Sequence, residues 1–233
     1  MIAGWSTKRR LVTGLVLLSI APLVASAQSG DPDKLVTNGG VMVKGWTGRL
    51  DPQAEKQGRK LTDAKFFPAG DGMHVTSGPP AAFWSSSNVG SGQYSVKATF
   101  TQTKAPAHPE AYGLFIGGSK LEADKQNYLY CVVFGTGMFS VKHRFGSEVH
   151  TLVDRKVNAA IHQADASGQA TNELTWKVDA STVSCLINGT SVASFPKADV
   201  IGDGKLESTD GIYGIRVNHN LDVHIAGFAM SKQ

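Results

Sequence analysis

Apolar and polar residues alternate with a period of two along most of this chain. Between Gln93 and Phe100, Tyr94, Val96, Ala98 and Phe100 alternate with Gln93, Ser95, Lys97 and Thr99, which is the pattern of a strand with one buried face. The same period recurs at Phe139, Val141, His143 and Phe145, at Leu174, Trp176 and Val178, and at Tyr213, Ile215 and Val217. No segment carries a convincing long amphipathic helix pattern. Turn chemistry joins the strands. Gly135-Thr136-Gly137 separates Tyr128–Phe134 from Met138–Arg144 as a short hairpin loop. Asn188-Gly189, two residues tolerant of positive φ, folds Val183–Ile187 back onto Ser191–Phe195, with Asp179-Ala180-Ser181 turning the chain just before. Short strands at regular spacing with Gly-rich turns predict an all-β fold, a two-sheet antiparallel jelly-roll sandwich. Leu50–Leu61 and Val157–Thr171 lack the pattern and are expected to be loops with, at most, a turn of helix.

The N-terminus departs from this pattern. Lys8, Arg9 and Arg10 precede an apolar stretch, Leu11–Val24, which ends in the small residues Ala25-Ser26-Ala27. This is the layout of a secretory signal, with cleavage expected between Ala27 and Gln28. The stretch falls short of the roughly 20 apolar residues a spanning helix needs. Residues 1–27 are therefore read as a cleavable signal peptide, 28–40 as a flexible mature N-terminus and 41–233 as a single β-sandwich domain. The expected location is outside the cytoplasm, periplasmic or extracellular, with no membrane attachment after processing. Processing also changes the charge: the net +4 of the whole chain falls to +1 without Lys8, Arg9 and Arg10. That removes the case for a nucleic-acid partner.

The two cysteines, Cys131 and Cys185, both fall inside apolar strand patterns. In an oxidising compartment they either bridge or pack as buried thiols, and their spatial adjacency decides which. The sequence lacks a Gly-x-Ser-x-Gly elbow, a P-loop and a dinucleotide fingerprint. The seven histidines are dispersed, without a His-x-x-x-His pair, so no metal site is expected. Asp199 and Asp203 flank a Gly-containing loop that either touches calcium or simply turns the chain; no cofactor is expected.

Several stretches in order resemble the concanavalin A-like lectin/glucanase superfamily, and more narrowly the exported bacterial DUF1080 domains, also labelled 3-keto-disaccharide hydrolases. They are Gly92-Gln93-Tyr94-Ser95-Val96, Ala111–Gly118, Asn127-Tyr128-Leu129-Tyr130, Val183–Gly189 and Gly211–Val217. The resemblance implies a concave sheet that binds a carbohydrate. Glucanases of the superfamily alternate two glutamates and an aspartate along one strand, because a retaining mechanism needs two carboxyl groups about 5 Å apart. That strand is missing here. Glu122-Ala123-Asp124 has no second glutamate after it, and Glu148 near His150 has no partner at useful spacing.

A glycan-binding module is accordingly the leading expectation. A hydrolase or lyase acting on 3-keto sugars or related glycosides is the enzyme alternative, and a structural or protein-binding domain of laminin-G type is the third. Arg216 and Asn218 share a strand face within the polar run Arg216–Asp222, which with His219 forms either a sugar site or a self-satisfied hairpin. His143 either sits in the core or floors the concave face. Trp84 or Trp46 either supplies a stacking platform or packs in the core.

Overall fold

The computed structural model describes residues 33–233 together with Met1, Ile2 and Gly4. Those three aside, the segment read as a signal peptide and its expected cleavage point lie outside the described residues. Among the described residues the alternating segments form fifteen strands in two sheets. The eight-stranded sheet runs in the order β1 (Gly40–Val41), β3 (Ala64–Ala69), β4 (Gly72–Ser77), β15 (Asp222–Lys232), β6 (Tyr94–Gln102), β11 (Ala170–Val178), β12 (Thr182–Ile187) and β13 (Thr190–Pro196). The seven-stranded sheet runs β10 (Glu148–Val157), β9 (Met138–Phe145), β8 (Asn127–Phe134), β7 (Ala111–Ser119), β14 (Gly211–Val217), β5 (Ala81–Gly90) and β2 (Thr47–Leu50). Neighbours are antiparallel except β1 and β3, which pair parallel with Gly40 opposite Lys65.

The sandwich interior is built from the alternation itself. Val96 and Phe100 on β6 and Leu174 and Trp176 on β11 meet Leu114 on β7, Leu129 and Val133 on β8, and Phe139 and Val141 on β9, all fully buried. Burying one such side chain is worth about 1.5–3 kcal/mol, so sheet stacking supplies the main stabilisation. The Trp176 indole N–H donates to the Leu114 carbonyl at 3.0 Å and so joins one sheet to the other.

Both predicted hairpins form. Gly135–Gly137 connects β8 to β9, and Asn188-Gly189 connects β12 to β13 with φ of 49° and 79°, left-handed values that suit this dipeptide. The two patternless segments are connections. The first holds a short helix α1 (Pro52–Lys56) followed by a 3-10 turn at Leu61–Asp63, and the second has no regular element before Ala170. A second short helix, α2 (Lys197–Val200), follows β13.

The edge strand β10 is irregular. Its register against β9 shifts twice, between Thr151 and Val153 and between Val153 and Lys156, and Arg155 takes φ of 39°. Such bulges blunt an exposed sheet edge. Among the described residues no helix is long and apolar enough to cross a membrane.

Cys131 on β8 and Cys185 on β12 form a disulfide. The two are not neighbours on one sheet. They face each other across the interior, which strand order alone does not disclose. The bond closes a sequence separation of 54 residues, so the loop-entropy model gives it about 4 kcal/mol. Paired Cys131→Ala and Cys185→Ala substitutions should lower unfolding stability by about 2–4 kcal/mol, read from urea denaturation. Dithiothreitol should destabilise the parent protein and leave the double variant unchanged.

Candidate functional site

The seven-stranded sheet buries its outward face as well as its inward one. On β8, Leu129, Cys131 and Val133 point into the sandwich, and Tyr128, Tyr130, Val132 and Phe134 point outward, yet every residue of the strand is buried. The outward residues join Ala82 and Trp84 from β5, Ala111 and Phe115 from β7, Leu121, Met138 and Ile212 in a second apolar cluster. Phe115 and Tyr128 have ring centroids 5.0 Å apart, and Tyr128 and Tyr130 5.6 Å. Gly214 makes room for this layer: a Cβ there would lie 2.6 Å from the Phe115 ring.

Two buried arginines, Arg144 and Arg216, lie on this face. Arg216 extends from β14 with its guanidinium 5.5 Å above the Tyr130 ring, a cation–π contact. Arg144 comes from β9, on the far side of β7 and β8. One carboxylate serves both. Asp51, just after β2, accepts from Arg216 Nη1 and Nη2 at 2.7 Å each and from Arg144 Nη2 at 2.6 Å. Burial works against the charge on Arg216, but Asp51 and then Tyr128 and Tyr130 hold its guanidinium above the ordinary arginine range. The same burial pushes the Tyr130 hydroxyl up to about 12, against the opposing pull of Arg216.

A third arginine borders the pair. Arg49 donates to Glu55 at 2.9 and 3.0 Å and to Asp124 at 3.0 Å. These residues, with Pro52, Lys56 and Ser147, line an open cleft of about 450 Å³. Each of the three arginines retains a buried nitrogen without a hydrogen-bond partner: Arg49 Nη1, Arg144 Nε and Arg216 Nε. The Tyr128 hydroxyl is likewise unpartnered. Native proteins leave few such groups, because each costs about 1–3 kcal/mol. A second open cleft, of about 410 Å³, lies beside Trp84 and is bordered by Ser86, Lys120, Glu122 and Ile212.

The structure separates the residues singled out from sequence. Trp84 and Arg216 share the outward face, where Trp84 pairs with Gly214 and Arg216 with Ala82. Trp46 packs edge-on against Phe66 and Phe228, with centroids 5.2 Å apart in each case, and belongs to the interior. Asn218 lies past the end of β14 and donates its backbone N–H to Ala111 at 2.8 Å. His219 stands between Glu110, 2.7 Å from Nε2, and Asp33, 3.3 Å from Nδ1.

The polar run that starts at Arg216 is therefore no single site. It passes from one sheet to the other and ends at Asp222 on β15. There the carboxylate meets His74 Nε2 at 2.8 Å, Thr103 Oγ1 at 2.7 Å and Lys104 Nζ at 3.1 Å. Burial opposes the charge of Asp222, but hydrogen bonds from His74, Thr103 and Lys104 outweigh it and hold the carboxyl well below the usual range.

His143 points inward, as its parity with Phe139 and Val141 requires, and stands at the rim of the interior. It lines a separate cavity of about 290 Å³ with His150, Leu129, Leu152, Val200 and Lys205. Burial, with the neighbouring His150, pushes the His143 imidazole down to about 4. Among the described residues no three His, Cys, Asp or Glu side chains converge as a metal-binding group.

Asp51 and Arg144 escaped sequence reading, the first because it lies in a patternless segment. For the second a signal existed: Arg144 has the parity opposite to Phe139, Val141 and His143, and Tyr128 and Tyr130 place polar tips at alternate positions of an otherwise apolar strand.

Comparison with solved structures supports the architecture. The chain is similar to the carbohydrate binding module CBM66 from Bacillus subtilis, at 11% identity with TM-score 0.57, covering 85% of this chain and 100% of that one. The fold is a concanavalin A-like β-sandwich. This sandwich is also similar to the alginate lyase A1-II′, a member of polysaccharide lyase family 7, at 11% identity with TM-score 0.50, covering 81% of this chain and 94% of that one. No family model and no curated protein sequence matches the chain. The narrower DUF1080 resemblance thus rests on the sequence segments alone.

Two measurements test these charge arrangements. Asp51→Ala leaves two buried guanidinium groups without a counter-charge, and equilibrium unfolding should show a loss of about 3–5 kcal/mol. Asp222 has a folded value below its unfolded one, so its stabilisation is complete above the ordinary carboxylate range near pH 4 and is lost as pH falls through the folded value. Chemical unfolding measured from about pH 6 down to about pH 2 should accordingly show a shallower acid decline in Asp222→Asn than in the parent protein.

Proposed function

We propose that this protein is a glycan-binding β-sandwich module acting outside the cytoplasm, with the outward face of the seven-stranded sheet and its Arg49 cleft as the ligand surface. One observation carries the reading: three arginines on that face are each fixed by a carboxylate and each keep a buried N–H with nothing to donate to. In the Arg49 cleft a ligand dense in oxygen acceptors, as a sugar is, meets a cationic donor already oriented by Glu55. The aromatic layer of this face is buried and braces the guanidinium from below where Tyr130 lies under Arg216.

The likeness to CBM66, a carbohydrate binding module by name, agrees with this reading. The disulfide supports placement in an oxidising compartment, as does the signal-like N-terminus. Trp84 and Arg216 belong to the proposed surface, with Arg144 and Asp51 beside them. Asn218 and His219 lie at its end and His143 lies outside it. Hydrolysis or elimination on a 3-keto sugar, which the narrower resemblance implies, is the competing activity.

Native mass spectrometry against a panel of neutral and acidic oligosaccharides and 3-keto disaccharides separates these readings. Adducts without new product masses are expected, and Arg49→Ala should weaken the retained ligand about tenfold or more, the value of a charged hydrogen bond. Product masses growing with time would replace the binding module with an enzyme. Neither adducts nor products would favour a structural or protein-binding domain.

A further inference from the structure

We propose that His143 and His150 form a two-histidine site for a divalent transition metal, zinc(II) by its geometry, at the rim between the two sheets. The two residues are direct cross-strand partners on β9 and β10, held by a hairpin rather than a mobile loop. Their Nδ1 atoms approach to 3.4 Å. At a zinc–nitrogen bond of about 2.05 Å, nitrogens so spaced subtend about 110° at a shared ion, the tetrahedral angle.

The hydrogen bonds on the far side of each ring assign the tautomers. The Asn127 amide spends its N–H on the Lys205 carbonyl at 2.9 Å, which turns its Oδ1 towards His143 Nε2 at 3.1 Å. That oxygen only accepts, so His143 carries its proton on Nε2. The Glu148 carboxylate also only accepts and lies 3.3 Å from His150 Nε2, which places that proton on Nε2 as well. In that tautomer of both rings the two Nδ1 lone pairs face one another across the 3.4 Å contact. Two lone pairs at this distance repel, and a shared cation relieves the repulsion.

The surroundings complete the arrangement. Metal-bound histidines characteristically donate their other N–H to a carbonyl or carboxylate, which is what Asn127 and Glu148 receive here. The His150 side chain is 45% exposed, so an ion has a path from solvent. The adjoining cavity of about 290 Å³ has room for water or an exogenous ligand in the two remaining coordination positions. Lys205, which also lines that cavity, is engaged by the Asp199 carbonyl at 2.9 Å. Among the described residues no third His, Cys, Asp or Glu joins the pair as a metal-binding group, so the site is of the open type.

Zinc chloride titrated into tag-free protein at neutral pH, in competition with a chromogenic zinc indicator, tests the proposal. One equivalent should bind with micromolar affinity, and cobalt(II) in its place should give the intense visible absorption of tetrahedral coordination. His150→Ala, a substitution at an exposed position, should abolish both signals while circular dichroism stays unchanged. Glu148→Gln should weaken zinc about 10- to 100-fold, as loss of an orienting partner does. His224→Ala, on the other sheet, should leave binding intact. Absence of stoichiometric zinc binding, or binding that survives in His150→Ala, would overturn the assignment.

Discussion

A single carboxylate lets two cations lie on an apolar sheet face. Without Asp51, Arg144 and Arg216 would be unpaired buried charges, Arg216 over the Tyr130 ring, and burial of an unpaired ion costs several kcal/mol. With it, the guanidinium groups become rigid donors in a region that is otherwise aromatic and dry. The outward face of the seven-stranded sheet owes its chemical character to that balance. Aromatic packing supplies the floor, Gly214 supplies the space, and Asp51 sets where the donors point. The residues that build this surface come from β2, β5, β7, β8, β9 and β14, so it exists only once the sheet is complete.

The alternation of residues disclosed the fold because each strand of a sandwich carries its own burial pattern locally. Tyr94 to Phe100 declares one buried face by itself, and Asn188-Gly189 declares a turn by backbone preference alone. The site was much less legible. Trp84 and Arg216 were found as residue types, but their shared face follows from the pairing of β14 with β5, strands more than a hundred positions apart in sequence. Asp51 reaches its partners 93 and 165 residues away, a distance no local pattern encodes. The run from Arg216 to Asp222 misled for the opposite reason: nearness in sequence concealed that the chain crosses from one sheet to the other within it. Cys131 and Cys185 belong to the same class, since facing across two sheets is a property of stacking rather than of either strand.

The proposed glycan surface and the proposed metal site occupy opposite sides of one β9–β10 ladder. Arg144 and His143 are consecutive residues, and the strand period sends one outward to Asp51 and the other inward to His150. Single-residue alternation thus separates the arginine pair from the histidine pair. The two chemistries share a backbone and do not share a side chain.

The irregular β10 edge bears on how the outward face is kept from other chains. A flat edge strand offers its backbone to any extended chain, including another copy of the same protein, and a sheet extended in that way would carry the aromatic face into a fibril. Two breaks of register and the left-handed Arg155 spoil that template, so growth of the sheet stops at β10. The aromatic face is thereby kept out of strand-to-strand polymerisation at this edge.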